Sequence, residues 1–304
     1  MKIDKKVILL VNLEKTHARD QGRELLDWLG RHAVVVGHNM GGTLDLATLP
    51  EADFLVVLGG DGTILSSARG LQGRELPIIG VNIGKLGFLA EFSIDELKEH
   101  FRQIMSDQTL VTRRIMLRCH FLGSDRPDDY KVFAVNELAV IADPPFRMIE
   151  VSVSIADEHL ALCMGDGLIV STPTGSTAYN LSAGGPILMS TLTSAVITPM
   201  AAHSLTFRPV VVDLDKPIIV QCRDNRHPKA GEADKTDQVN FGIAAIDGQV
   251  TAPLKSQDKI VITRAEPRFL LVRNPRQGQW RLLNTKLHWG KLPKYSFNEG
   301  IRNQ

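Results

Sequence analysis

An apolar run, Phe54-Leu55-Val56-Val57-Leu58, leads without a break into Gly59-Gly60-Asp61-Gly62-Thr63, and Ile64 to Arg69 follows with helical character. This order predicts a buried strand that turns tightly into a helix. Gly59, Gly60 and Gly62 let the backbone approach a ligand closely, and a helix N-terminus just beyond presents free N–H groups suited to phosphate. A carboxylate in such a turn repels phosphate, so Asp61 needs a reason to be there. It has one if it takes a proton from an attacking hydroxyl or helps to hold Mg²⁺. The alternative is an Asp-Gly turn that only caps a helix.

The surrounding third of the chain fits a parallel sheet. Val7 to Val11, Ala33 to Val36 and Pro77 to Val81 are short apolar runs, and Thr16 to Leu29 carries leucines at helical spacing with Gly30 as its stop. Strands alternating with helices predict βαβ units, whose ligands bind beyond the carboxyl ends of the strands. The Asp61 turn and the loop from Asn82 to Phe88 would then share one crevice. Ser93 with Glu96 forms a capping box opening a helix to about Met105. Gly80 to Leu86 is not a P-loop, because its glycines are too close and Leu86 stands where a Ser or Thr would hold Mg²⁺. Lys85 reads equally as a phosphate contact or as a solvated loop lysine.

From Arg113 the period changes. Short strand-like runs recur at Arg114 to Phe121, Lys131 to Val135, Met148 to Ile155, His159 to Cys163, Gly167 to Ser171, Ser204 to Val212, Pro217 to Cys222 and Phe241 to Ile246, the first partly and the third clearly alternating. These predict an antiparallel sandwich, with Asp247-Gly248 as a hairpin turn. Three stretches ask for more than strand-making. Asn136-Glu137 breaks an apolar strand, so the pair faces either a polar ligand or an exposed edge. Gly165-Asp166-Gly167 is a second glycine-flanked Asp, which by itself reads as a turn. Thr172-Pro173-Thr174-Gly175-Ser176-Thr177-Ala178-Tyr179 offers four hydroxyls and an aromatic face, a loop suited to phosphate, ribose and a flat base.

The 304 residues suffice for roughly two domains, expected at 1–112 and 113–267 with a tail at 268–304 returning to the first. Lys+Arg 35 against Asp+Glu 34 leaves a formal charge of +1, which argues against a nucleic-acid or membrane-surface binder. The 3 Cys are odd in number and far apart, which fits a reducing compartment without disulfides or zinc. The first apolar run is interrupted by Asn12 and Glu14, so neither a signal peptide nor a membrane span is expected, and the expected location is cytoplasmic.

Four ordered blocks resemble the NAD kinase family: Gly59 to Thr63; Asn136-Glu137; Asp166-Gly167 running on through Ser171 to Pro186; and Ile197-Thr198-Pro199 with His203 and Arg208-Pro209. The third is long and highly specific. The resemblance implies an α/β N-terminal domain and a β-sandwich C-terminal domain with the site between them. It implies ATP-dependent, Mg²⁺-assisted transfer of phosphate to the 2′-hydroxyl of the adenosine ribose of NAD. It further implies Asp61 as catalytic base, with Gly59, Gly60 and Gly62 lining the site. Asn136 and Glu137 would contact the dinucleotide, Asp166 the substrate across a subunit interface, and Thr177, Ala178, Tyr179, Asn180, Leu181 and Ser182 the nucleotide pocket. Arg147 and Gln249 align more loosely with ligand positions. Members are usually homodimers or homotetramers.

One departure is Met164, where many bacterial members carry a basic residue. A neutral thioether there would not discriminate strongly between NAD⁺ and NADH. Two other readings remain open from sequence. A lipid kinase of the same superfamily would lack the block at Thr172 to Ser182, and a catalytically silent NAD(P)-binding regulator would be expected to have lost Asp61.

Overall fold

A computed structural model describes residues 2–14, 17–42, 44–84, 87–123, 130–144, 148–223, 240–256, 258–276 and 278–289. The chain opens as β1 (Lys6–Val11), α1 (Ala18–His32), β2 (Val34–His38), β3 (Phe54–Gly59), α2 (Asp61–Gly70), β4 (Ile78–Asn82), α3 (Ile94–Ser106) and β5 (Val111–Arg114). β3 and β4 are buried along their whole length, as runs that face apolar layers on both sides must be. Alternate residues serve opposite faces. Val7, Leu9, Val56 and Leu58 pack under Leu25, Leu29, Leu97 and Phe101 of α1 and α3, while Ile8, Leu55 and Val57 meet Ile64, Leu65 and Ala68 of α2.

The second region continues with β6 (Leu117–Leu122), β7 (Lys131–Ala134), β8 (Glu137–Ala142), β9 (Ile149–Ile155), β10 (Glu158–Gly165), β11 (Gly167–Ser171), the single turn α4 (Tyr179–Ser182), β12 (Ser194–Met200), β13 (Val210–Asp213), β14 (Ile218–Arg223), β15 (Asn240–Ile246), β16 (Val250–Lys255) and β17 (Lys259–Arg264). Two antiparallel six-stranded sheets result, ordered β10-β9-β14-β17-β6-β7 and β13-β12-β11-β8-β15-β16. Their inner faces share one core, with Cys119, Phe121, Val151 and Val220 from one sheet against Leu138, Val140, Val170 and Ala244 from the other. The chain then returns: β18 (Phe269–Val272) lies between β4 and β5, completing the first sheet as β2-β1-β3-β4-β18-β5, and α5 (Gln279–Leu287) follows. The expected architecture, a parallel α/β sheet followed by an antiparallel sandwich, is the one observed.

Some local expectations fail for identifiable reasons. Gly30 does not stop α1, which runs on to His32 because Leu25 and Leu29 dock the helix and Arg31 and His32 suit its C-terminal dipole. Ser204 to Val212 is a strand only from Val210. Pro209 has no N–H to give, and Ser204 bonds locally to Thr206 at 2.9 Å. Its partner β12 is not among the expected strands; it forms with Pro199 paired opposite Leu168 of β11. Asp247-Gly248 does form the β15–β16 turn, with φ of 49° and 65° as a type I′ hairpin requires.

Candidate active site

The strand order β2-β1-β3-β4 reverses direction between β1 and β3, and such a switch point opens a crevice beyond the carboxyl ends of the two strands. A cleft of about 630 Å³ lies there, lined by Val11 at the end of β1, Asn12 and Glu14 after it, Gly60, Gly62, Thr63 and Ser66 around the start of α2, and Gln249 from the sandwich. Asn12 Nδ2 donates to Thr63 Oγ1 at 3.0 Å and so ties the end of β1 to the first turn of α2. Asp61 is the first residue of α2. Its Oδ2 accepts the N–H of Phe88 at 2.8 Å, and its Oδ1 accepts those of Leu89 and Ala90 at 3.1 and 3.0 Å. Gly87 makes this possible, since a Cβ there would lie 1.8 Å from Asp61 Oδ1. The 87–91 loop is held from behind by the returning chain. Asn274 donates its N–H to Glu91 Oε2 and its Nδ2 to the Glu91 carbonyl, both at 3.0 Å.

The other half of the site follows from antiparallel pairing. β8 runs opposite to both β11 and β15, so its first residue, Glu137, sits beside Ser171 at the end of β11, and Leu138 beside Ile246 at the end of β15. Asn136-Glu137, the loop after Ser171 and the Asp247 turn therefore meet at one end of the sheet. The loop is stitched down by Thr172, whose Oγ1 donates to the Val135 carbonyl at 2.6 Å and whose N–H donates to that of Asn136 at 2.8 Å. Gly175 rests directly on Asn136, where a Cβ would come within 2.3 Å of its carbonyl oxygen. Glu137 is 5% exposed and lies in a central strand, so the exposed-edge reading is excluded. Its Oε2 has no partner. Burial, then the neighbouring Asp247 carboxylate, pushes its pKa up to about 8, against a Tyr179 N–H that favours the charged form. The Asn136 side chain is half-buried, and Tyr179 and Ser182 are exposed.

The two halves are bolted together through Asp247 and Arg69, which the sequence did not single out as functional, and through Gln249, which it did. Asp247, its side chain fully buried, accepts the N–H groups of Val135, Asn136 and Glu137 at 3.1, 2.7 and 3.2 Å. Arg69 of α2 reaches across to it, with Nη1 2.5 Å from Asp247 Oδ2, and also donates from Nη2 to Gln249 Oε1. Gln249 Nε2 donates to the Gly62 carbonyl at 2.9 Å. A hairpin signal was the only sequence trace of Asp247, and Arg69 had only its helical position.

Other expected site residues fall differently. Asn180 is fully buried and its amide is occupied: Nδ2 donates to the carbonyls of Ser176 and Pro186, and Oδ1 accepts from Thr198. It shapes the loop, while Thr177, Ala178 and Leu181 remain half-buried along it. Asp166 is exposed and precedes β11, whose first residue pairs with Ile141 rather than with Glu137. At roughly 3.3 Å per residue, that is about 16 Å along the sheet from the Glu137 end. Met164, at the end of β10, shares that far end. Arg147 and Lys85 lie outside the described residues. Among the described residues no three His, Cys, Asp or Glu side chains gather as a metal cage. A metal that rides on nucleotide phosphates needs only a carboxylate or two from the protein, and Asp61 Oδ2, with a single N–H donor, can serve as one.

A switch-point crevice with a fixed carboxylate, closed by a sandwich that carries a hydroxyl-rich loop, belongs to a class of nucleotide-dependent phosphotransferases. Comparison with known proteins makes this specific. The profile of the ATP-NAD kinase N-terminal domain matches residues 47–109, and that of the ATP-NAD kinase C-terminal domain matches 135–274. The NAD kinase of Geobacter sp. (strain M21) is 36% identical over 300 residues, covering 94% of this chain and 99% of the relative. That of Rhodopirellula baltica is 32% identical over 288 residues, covering 94% and 88%. Among solved structures, an NAD kinase from Archaeoglobus fulgidus in complex with ATP superposes with a TM-score of 0.68 at 26% identity, covering 89% of this chain and 94% of that one. Yeast NADH kinase complexed with NADH superposes with a TM-score of 0.83 over 96% of this chain and 89% of that one, at 22% identity, a likeness of fold alone. The chain belongs to the NAD kinase family, whose members are ATP-dependent phosphotransferases. No helix among the described residues is long and apolar enough to cross a membrane.

Proposed function

We propose that this protein transfers the terminal phosphate of ATP to the 2′-hydroxyl of the adenosine ribose of NAD, with Asp61 as the general base. The observation that carries the reading is the Asp61 carboxylate, held by three backbone N–H groups and flanked in sequence by Gly60 and Gly62, which line the switch-point crevice. Phosphoryl transfer asks a protein mainly to position the reactants and to orient or deprotonate the nucleophile. Asp61 accepts the ribose proton at Oδ2. Gly60 and Gly62 line the crevice and leave room for the reacting groups, while Gly59 makes room for the Thr63 side chain behind them. Asn136, with a free amide, and Glu137, with a spare oxygen, hold the dinucleotide. Glu137 is largely protonated at neutral pH and has a hydroxyl to donate. Thr177, Ala178, Tyr179, Leu181 and Ser182 line the base and ribose, Gln249 borders the crevice, and Arg147 is given to the nucleotide by its loose resemblance to a family ligand position. Mg²⁺, bound with the phosphates and within reach of Asp61, would neutralise their charge.

Asp166 acts on a neighbouring subunit's substrate in a homodimer or homotetramer. Its distance from Glu137 within one chain supports this, as do exposed apolar residues on the edge strands, Leu160 and Leu162 on β10 and Val210 and Val211 on β13. The division at 112 and 267 and a cytoplasmic location complete the reading, the latter supported by three buried free thiols. The test is formation of NADP from ATP, Mg²⁺ and NAD by purified protein, read with an NADP-specific dehydrogenase. Asp61→Asn keeps size and shape but cannot take the proton, so turnover should fall about 10²–10⁴-fold while calorimetric NAD binding persists. Turnover near that of wild type would remove Asp61 from the mechanism.

A further inference from the structure

Arg69 does not itself line the crevice, yet it is the cation through which the two halves of the site meet. It lies on α2, the helix that Asp61 begins, and its side chain is 10% exposed. One nitrogen of its guanidinium meets Asp247 at 2.5 Å and another donates to Gln249. Asp247 spends both oxygens on the N–H groups of Val135, Asn136 and Glu137. Gln249 returns to the carbonyl of Gly62, the residue after Asp61. The contacts thus form a closed circuit from the catalytic turn along α2 to Arg69, through Asp247 to the Asn136-Glu137 backbone, and back through Gln249.

The backbone links of the circuit are stiff, and Gln249 closes it with an exposed side chain. α2 is a continuous helix, the Asp247 turn is a tight hairpin, and a guanidinium presents its donors in one rigid plane. On the NAD kinase reading, the circuit joins the group that deprotonates the ribose hydroxyl to the groups that hold the dinucleotide. We infer that Arg69 is a positioning residue, which fixes the distance between Asp61 and the dinucleotide-binding pair, with Asp247 as its relay. Misplacement by about 1 Å between such groups can cost on the order of 10²-fold in rate. A Lys at 69 can satisfy Asp247 or Gln249 but lacks the fork that holds both, so it restores only part of the function.

The test compares wild type, Arg69→Met and Arg69→Lys in two assays. In steady-state kinetics with ATP, Mg²⁺ and NAD, Arg69→Met should lower kcat about 10- to 100-fold and leave the KM for NAD within about threefold, with Arg69→Lys between the two proteins. In amide hydrogen exchange of the free protein, residues 135–137 should lose protection in Arg69→Met. A role confined to stability would instead lower the melting temperature and leave kcat per folded molecule unchanged, and that result overturns the inference. If Arg69→Met does not fold, Arg69→Lys decides alone: a wild-type kcat there overturns the requirement for the fork. Absence of NADP formation by wild type would overturn the kinase reading, and the exchange assay would still judge the clamp, unchanged protection at 135–137 counting against it.

Discussion

Glu137 is the residue at which burial and charge conflict most openly. A carboxyl of ordinary pKa 4.5 sits in the core end of a strand, beside a second buried carboxylate, with one oxygen unpartnered, and its pKa rises to about 8. Between those two values the folded protein keeps a proton that the unfolded chain has released. The folded state therefore binds more protons, and stability falls as pH rises through this window. The contribution is fully present below about 4.5 and gone above about 8. Glu137→Gln is neutral at every pH and lacks this dependence. Thermal melts of both proteins should show the Gln variant gaining on wild type as pH rises from 5 to 8 and the gap levelling beyond. A constant gap would mean that Glu137 titrates normally.

Among the elements, the 87–91 loop does most to define the site, because it fixes a side chain on α2 without belonging to that helix. Its three N–H groups can converge on Asp61 only because position 87 carries no side chain. Gly87→Ala would place a carbon inside the Asp61 carboxylate, and either the loop or the carboxylate must move. The returning segment resists the first, because Asn274 pins Glu91. Gly87→Ala is therefore expected to lower kcat by about 10²-fold, with NAD affinity by calorimetry within a few-fold of wild type and a folded, cooperative melt. Wild-type kcat in this variant would show that Asp61 need not be held where it is.

At the scale of the whole molecule, the separation of Asp166 from Asn136-Glu137 decides what one chain can do alone. The two lie at opposite ends of paired strands in a rigid sheet, so no loop movement brings them together. If Asp166 serves a neighbour's site, Asp61→Asn and Asp166→Ala subunits are each inactive for a different reason. Mixed oligomers then contain some sites with an intact Asp61 and an intact Asp166 from different chains. Exchanging the two inactive proteins should restore measurable NADP formation. No recovery under conditions where subunit exchange is demonstrated, for instance by mass spectrometry, would place the complete site within one chain.

The sequence alone determined the parts that depend on neighbours in the chain. The run into Gly59-Gly60-Asp61-Gly62 could only be a buried strand turning into a helix. Ser93 and Glu96 formed the capping box expected of them, and Asp247-Gly248 the expected hairpin turn. Period and turn chemistry are local, so they are legible in order, and the change near Arg113 marked the shift from parallel to antiparallel sheet. Tertiary structure decided what meets what. Asp247 lies 178 residues from Arg69 and about 110 from the amides that it caps, and nothing local announces either contact. Asn180 was legible as part of a binding loop, but only packing shows its amide committed to the loop itself. A polar side chain's task is set by the partners that folding delivers to it, and at long range those partners leave no periodicity to read.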